Sequence, residues 1–346
     1  MDSNTGRVLV EKNADMQLPP ASMTKMMTSY IVSSEIDRGS INPDDLVTIS
    51  VKAWKKGGSK MFVREGTQVT VKDLLRGLII QSGNDASIAL AEHIAGSEQA
   101  FADIMNQQAA MLGMTNTTFK NATGWPADGH ISTVRDLAIL GQALIRDFPD
   151  HYALYAEKYF TYNGINQPNR NRLLFTDKSV DGIKTGHTEE AGYGLTASSE
   201  RDGMRLISVV TGTQSESARA SSSQKLLSYG FRYYYTHKVY SQGDVVNTSM
   251  VWKGQADQVS IVVPNDVYLT VPRGSENDLK ATVHIDDVIS APIAQGQELG
   301  NVVIALDEEE LLNLPVVSAA TIEEAGFFSR MIDSIQLFFG GFFSVK

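Results

Sequence analysis

Ser22 and Lys25 stand three residues apart in Ser22-Met23-Thr24-Lys25, just after Pro19-Pro20. Apolar residues then recur at Met23, Met26, Met27, Tyr30 and Ile31. This spacing predicts a helix, and prolines directly ahead suit its start. Residues three apart on a helix share a face, so hydroxyl and amine would meet near the positive end of the helix dipole. A serine attacks a carbonyl only when a base takes its proton, and an amine is such a base only with a lowered pKa. The chemistry on offer is acyl transfer through a serine. The pair alone decides nothing, since average composition gives roughly one or two Ser-x-x-Lys matches per chain of this length. Ser222 and Lys225 are indeed a second match, and a capping serine followed by a surface lysine would account for either.

Two further patterns fall in order behind the first. Ser82-Gly83-Asn84 lies in a short connection between two apolar helical runs, from which a hydroxyl and an amide could project into a cleft. Lys184-Thr185-Gly186 follows the turn residues Asp181-Gly182, on a strand whose edge a peptide could approach. Order and context together, a helix start, an interhelical loop and a strand edge, raise three weak signals into one constellation.

The elements that must position these residues read as follows. Leu46–Val51 has strand character, and Lys55–Lys60 reads as a flexible, solvated basic connection. Helical patterns run over Val71–Ile80, Ala86–Ile94, Phe101–Leu112 and Thr133–Ile145, and Tyr159–Arg172 is rich in Tyr, Asn and Arg. From Val180 the pattern turns to strands, at Ile183–Gly186, Tyr193–Ala197 and Arg205–Thr211, closed by a helix over Ser217–Tyr229. Near the start, Asn4-Thr5-Gly6 is a turn leading into strand-like Arg7–Val10. A hairpin turn needs a strand on both sides, so a further strand, and any export signal, is expected upstream of Met1. Strands at both ends with helices between predict an α+β domain over 1–235. Short β runs punctuated by Gly, Pro, Asn and Asp then predict a small all-β module over 236–318. A separate aromatic-rich helical tail occupies 319–346.

Composition excludes several classes. The 346 residues carry a net charge of −10 with no basic stretch to offset it, which argues against a nucleic-acid partner. No cysteine is present, so disulfides and thiolate chemistry are excluded. His93, His130, His151, His187, His237 and His284 are scattered without metal-ligand spacing, and no metal or other cofactor is expected.

Ser-x-x-Lys, Ser-x-Asn and Lys-Thr-Gly in this order resemble the penicillin-recognising serine acyltransferases. The wider stretches Pro20–Thr28, Gln81–Ala86 and Val180–Thr188 resemble low-molecular-mass D-alanyl-D-alanine carboxypeptidases, a similarity running through the β module and the tail. It implies a transpeptidase/β-lactamase-like catalytic domain that trims the terminal D-alanine from peptidoglycan stem peptides and is acylated by β-lactam antibiotics. It implies roles too. Ser22 would be the nucleophile, Lys25 its base, Ser82 a proton relay, and Asn84 a substrate or lysine ligand. Lys184 and Thr185 would address the terminal carboxylate beside Gly186, with Arg219 assisting, and the backbone N–H groups of Ser22 and His187 would form an oxyanion hole. The sequence departs from the family in a shorter loop over Trp54–Met61, which bears on substrate preference.

A DD-endopeptidase, a slow β-lactamase and an idle wall-binding scaffold remain as rivals. The deacylating motif Glu-x-x-Leu-Asn of class A β-lactamases occurs only at Glu309–Asn313, after Lys184 and so in the wrong order. In the tail, Phe327, Phe328, Met331, Ile332, Ile335, Phe338, Phe339 and Phe342 recur at helical spacing, with Ser329, Arg330, Asp333, Ser334 and Gln336 mainly opposite. This predicts an amphipathic helix lying on a membrane rather than spanning it, on the periplasmic face of the bacterial cytoplasmic membrane if the resemblance holds.

Overall fold

In the computed structural model, which describes residues 1–275 and 278–343 and the side chains up to 337, the chain divides into two units, Met1–Arg232 and Tyr233–Lys346. In chain order the first unit contains α1 (Lys25–Asp37), β1 (Leu46–Thr48), α2 (Val51–Lys55), β2 (Gln68–Thr70), α3 (Val71–Ile80), α4 (Asn84–Ala95), α5 (Glu98–Met111) and α6 (Val134–Asp147). Then come α7 (Pro149–Tyr152), the hairpin β3 (Tyr159–Tyr162) and β4 (Ile165–Pro168), α8 (Leu173–Thr176), β5 (Val180–Thr188), β6 (Gly192–Arg201), β7 (Met204–Thr213) and α9 (Glu216–Tyr233).

α1 is the centre of this unit. Sequence periodicity suggested one apolar face, yet every residue from Lys25 to Ser33 is buried. Helices α3, α4, α5 and α6 pack around it. Fully buried side chains such as Met26, Met27 and Val32 each contribute roughly 1.5–3 kcal/mol relative to an exposed position. Its polar residues are satisfied internally: Thr28 Oγ1 donates to Ala122 O at 2.7 Å, and Ser29 bonds Tyr155.

Local chemistry explains several element boundaries. Thr70, Ser97 and Thr133 cap α3, α5 and α6 by accepting the backbone N–H three residues on. Ser50 does the same for α2, bonding Ala53 N at 3.0 Å. That cap ends β1 at Thr48 and corrects the strand expected to continue to Val51. Arg7–Val10 likewise forms no strand. The turn before it does form, held by Asp2 Oδ1, which accepts the N–H groups of Asn4 and Thr5 at 2.9 Å. Asp2 itself bridges Leu206 at the outer edge of β7.

The three-stranded sheet of the first unit is antiparallel in the order β5-β6-β7, and among the described residues no strand pairs with the other edge of β5. Gly186 and Gly194 face each other across β5 and β6. A Cβ on Gly186 would lie 3.0 Å from Pro20 O, and one on Gly194 would lie 2.8 Å from Met23 Cε. This glycine pair leaves a gap in the sheet face that Met23 fills, bringing the Ser22 turn flush against β5. Lys184 and Gly186 share that face by the strand's alternation.

The second unit contains β8 (Tyr234–Tyr240), β9 (Val245–Met250), β10 (Gln258–Val262), β11 (Val267–Pro272), β12 (Leu279–Ile285), β13 (Glu298–Leu306), β14 (Glu309–Ser318) and α10 (Phe327–Phe343). Its five-stranded sheet runs β12-β13-β14-β10-β9, and β11 pairs with β8. Val259, Ile261, Val302, Ile304 and Val316 fill its core. Among the described residues no helix is long and apolar enough to cross a membrane. Phe338, Phe339 and Phe342, assigned above to an apolar face, have side chains outside the described residues, and Lys346 lies outside them altogether.

The connection 120–125 closes over the Ser22 turn. Gly124 has φ +79°, and a Cβ there would sit 1.7 Å from Ala21 O, with no flexible side chain to yield. We expect Gly124→Ala to cost about 2–3 kcal/mol through overpacking and the left-handed φ. A calorimetric scan should show the midpoint of the first unit falling by roughly 5–10 °C; an unchanged midpoint would refute this packing.

Candidate active site

Residues Ala21–Thr24 form a 3-10 turn that runs straight into α1. Ala21 holds φ at +50°, a left-handed conformation that a non-glycine residue keeps only under tertiary constraint. Its neighbours Ala21, Met23, Thr24 and Lys25 are buried, while Ser22 is only half-buried. Ser22 is thus the one side chain of the turn that reaches the open.

Lys25 is fully buried. Its Nζ lies 3.1 Å from Ser22 Oγ, 2.8 Å from Asn84 Oδ1 and 2.6 Å from Thr123 O. Burial, and after it the cation of Arg170, lower its pKa to about 7; Lys56 adds to this and Asp85 opposes it. As an ammonium, Lys25 donates to all three oxygens. As a neutral amine it has two N–H groups, which Asn84 and Thr123 take, and a lone pair left for the Ser22 proton. The arrangement can therefore deprotonate Ser22 without an acidic partner.

Ser82, in the connection between α3 and α4, is 1% exposed with φ +62°. Its Oγ is buried without a hydrogen-bond partner. Ser208 Oγ and Ser223 Oγ are likewise unpartnered, so it is the place of Ser82 two residues before Asn84, with a positive φ, that ties it to the site. Asn84 opens α4, accepting from Lys25 and donating Nδ2 to Gly57 O at 2.8 Å. The adjacent Asp85 carboxylate accepts the N–H groups of Met61, Phe62, Val63 and Ala86. The basic connection expected to be a solvated loop is thus clamped to the site, Asn84 N donating also to Ser59 O at 2.7 Å.

Lys184 is buried, and its Nζ makes one long bond, 3.3 Å to Thr185 O. Burial, with the cations of Lys25, Arg170 and Arg219, holds its pKa well below the usual lysine value. An anion placed against it would restore the charged form. Arg219 on α9, 5% exposed, donates to Gly186 O at 3.1 Å. The exposed His187 ring lies over Tyr193, centroids 3.9 Å apart, and Thr185 is buried between Lys184 and Gly186.

Ser22, Lys25 and Asn84 are thus directly bonded, Lys184 lies within electrostatic reach of Lys25, and Arg219 is tied to the same strand. Elsewhere, Ser222 and Lys225 lie within α9, with Lys225 exposed. Glu309–Asn313 lies on β14 of the second unit, where Asn313 Oδ1 accepts from Asn301.

Comparison with known proteins agrees in every part of the chain. Residues 1–215 match the family model described as D-alanyl-D-alanine carboxypeptidase. The chain belongs to that family. Residues 234–324 match the model of the C-terminal domain of penicillin-binding protein 5. The chain is 45% identical to D-alanyl-D-alanine carboxypeptidase DacA of Escherichia coli (strain K12), over 99% of this chain and 87% of that protein. It superposes on penicillin-binding protein 5 from Haemophilus influenzae with a TM-score of 0.89 and 42% identity, covering 94% of this chain and 96% of that one. An ampicillin-bound penicillin-binding protein D2 from Listeria monocytogenes is 31% identical with a TM-score of 0.61, covering 66% and 94%. The expected α+β catalytic fold with an all-β second module is the fold of this family.

Three residues of this D-alanyl-D-alanine carboxypeptidase were given no role by the sequence. Thr123 contributes a backbone oxygen, which any residue type could supply. Asp85 fell inside the family-like stretch Gln81–Ala86 without a role of its own, and only its four backbone donors reveal one. Arg170 sat in a segment noted only for its composition, and its charge acts on both Lys25 and Lys184.

The neutral fraction of Lys25 grows with pH through about 7. Acylation of Ser22 by a β-lactam should therefore rise along a single limb centred near that value. Stopped-flow acylation rates from pH 5 to 9 test this; a profile with no inflection near 7 would exclude a lowered-pKa Lys25 as the base.

Proposed function

We infer that this D-alanyl-D-alanine carboxypeptidase works through Ser22, which attacks the carbonyl carbon of the penultimate D-alanine of a peptidoglycan stem peptide. The observation that carries the reading is the buried Lys25 amine, held 3.1 Å from Ser22 Oγ with its pKa lowered to about 7. Lys25 takes the Ser22 proton as the C–O bond forms. The oxyanion is held by the backbone N–H groups of Ser22 and His187. As the C–N bond breaks, Ser82 passes a proton to the departing D-alanine amine and recovers one from Lys25. Water then attacks the ester, Lys25 again taking the proton, and Ser22 leaves as a hydroxyl. Lys184 and Thr185, with Arg219, take the terminal carboxylate, and Asn84 holds Lys25 in place.

A β-lactam offers a carboxylate and an amide to the same groups. Its ring-opened amine stays tethered, so the acyl-enzyme persists unless a second base activates water. Asp85 is the carboxylate whose charge acts on Lys25, and its oxygens are already taken by backbone donors. This favours the peptidase over a β-lactamase. Ser22→Ala should abolish both penicillin labelling and D-alanine release while leaving the thermal midpoint nearly unchanged; intact-mass spectrometry that still finds an adduct on the variant would move the nucleophile elsewhere. Lys25→Arg keeps the charge without a usable base, and we expect acylation to fall by at least about 10³-fold.

The tail is proposed as a peripheral anchor on the periplasmic face of the cytoplasmic membrane, with residues 236–318 as the module between it and the catalytic domain. Phe327 and Phe328 are 68% and 76% exposed, and Met331, Ile332 and Ile335 are about half exposed. Two polar residues tie the helix to the unit: Arg330 pairs with Glu324, and Asp333 accepts Lys253 N at 2.6 Å. With these two engaged and its described apolar side chains bare, the helix suits the hydrocarbon boundary of a bilayer. Full-length protein should co-sediment with neutral liposomes, whereas a chain ending before Ala325 should stay in solution with unchanged activity. Equal partitioning of the two would remove the anchor.

A further inference from the structure

His130 is 3% exposed and lies outside the set of motif residues. It sits at the end of the 120–130 connection, its ring edge-on to Phe119 at 5.8 Å between centroids. Nδ1 receives the backbone N–H of Lys120 at 3.1 Å, with Asn121 Nδ2 at 3.4 Å. A backbone N–H only donates, so Nδ1 carries no proton. The neutral ring then bears its hydrogen on Nε2 and donates it to Thr24 Oγ1, 2.8 Å away. Thr24 is wholly buried, between Ser22 and Lys25 in sequence.

The far end of the same connection touches the other side of Lys25. Asn121 Oδ1 gathers the N–H groups of Thr123, Gly124 and Trp125. That fold aims Thr123 O at Lys25 Nζ, 2.6 Å away. One connection therefore grips the nucleophile turn twice, through His130 on Thr24 and through Thr123 on Lys25.

We propose that His130 is a positioning residue for the acylation reaction: as a neutral ring bridging Lys120 N–H and Thr24 Oγ1, it sets the register between the 120–125 connection and the Ser22–Lys25 turn. The register decides how Lys25 is shared between Thr123 O and the Ser22 hydroxyl. The choice of a neutral ring matters because the charges facing this region are mostly positive. Lys120 and Lys25 face His130 itself, while Arg170, Lys56 and Asp85 face Lys25, and Glu98 bonds Ala122 N at 3.4 Å. Burial and the two lysines keep the imidazole neutral, its pKa near 4. A protonated ring would lose the Lys120 bond and add a cation beside the catalytic amine.

The inference rests on Ser22 acylation as proposed above, and mass-spectrometric labelling of wild-type Ser22 checks that reading separately. Two amide variants divide the imidazole's duties. The Gln side chain reaches where Nε2 stood and can still donate to Thr24, whereas the shorter Asn reaches only the Nδ1 position and keeps the Lys120 bond. Stopped-flow acylation by a chromogenic β-lactam, resolved into a binding constant and a first-order step across pH 5–9, is the readout. For His130→Asn the first-order step should fall about tenfold to hundredfold with binding unchanged, as for a small misplacement of a reacting group. Its pH limb should also move upward, because water entering the vacated space resolvates Lys25. His130→Gln should recover most of the rate and the limb. Thr24→Val removes the acceptor with little change of shape, and should reproduce His130→Asn without adding to it in the double variant. A wild-type rate and limb for His130→Asn would overturn the proposal. So would a uniform loss at all pH values in proportion to lost thermal stability, or full additivity of the two substitutions.

Discussion

A lysine amine taken out of water among other cations is the constraint that shapes the catalytic unit. Lys25 has no carboxylate bonded to it, and Lys56, Arg170 and Lys184 all act on or with its charge. Burying a full charge in such company is expensive. The fold tolerates it because the amine sits near neutrality and each of its hydrogens meets an oxygen. Much of the surroundings follows from that. Central burial of α1 dries the amine, and Asn84 and Thr123 arrive from distant segments to accept from it. Asp85 lends distant negative charge while its own oxygens are spent on backbone N–H groups.

Several strained or under-bonded groups of the unit meet at one cleft. Ser82 Oγ has no partner, Lys184 has one long bond, and Ala21 and Ser82 hold positive φ without being glycine. Scattered through a protein, such features would only cost stability. Gathered between the Ser22 turn, the start of α4 and the edge of β5, they lie where the proposed substrate would bring a carboxylate to Lys184 and a carbonyl to Ser22. Strain and unmet polarity are held by rigid elements, so the site is formed before substrate arrives.

Glycines set how closely those elements approach. The facing Gly186 and Gly194 let Met23 press into the sheet, and Gly124 lets the 120–125 connection lie on Ala21 O. A side chain at any of these positions would press the Ser22 turn away from the strand or the 120–125 connection away from Lys25.

The sequence by itself determined the family, through the order of its three motifs, and the elements with strong local signals. Helix α3 falls on Val71–Ile80 as its periodicity predicts, and the strands expected after Val180 form as β5, β6 and β7. Where competing local signals met, the reading failed. Ser50 caps a helix and cuts β1 short, and β14 went unread because Glu309, Glu310, Asn313 and Pro315 break its alternation. Arg7–Val10 has strand-forming residues but pairs with no strand. Only tertiary structure decided which distant residues meet. Lys25 reaches Asn84 across 59 residues and Thr123 across 98. Periodicity and turn chemistry are properties of neighbours in the chain, whereas desolvation and electrostatic coupling are properties of neighbours in space. That is why Ser22 and Lys25 could be proposed as nucleophile and base beforehand, while the Thr123 carbonyl on Lys25, the charge of Arg170 and the burial that lowers the Lys25 pKa required the fold.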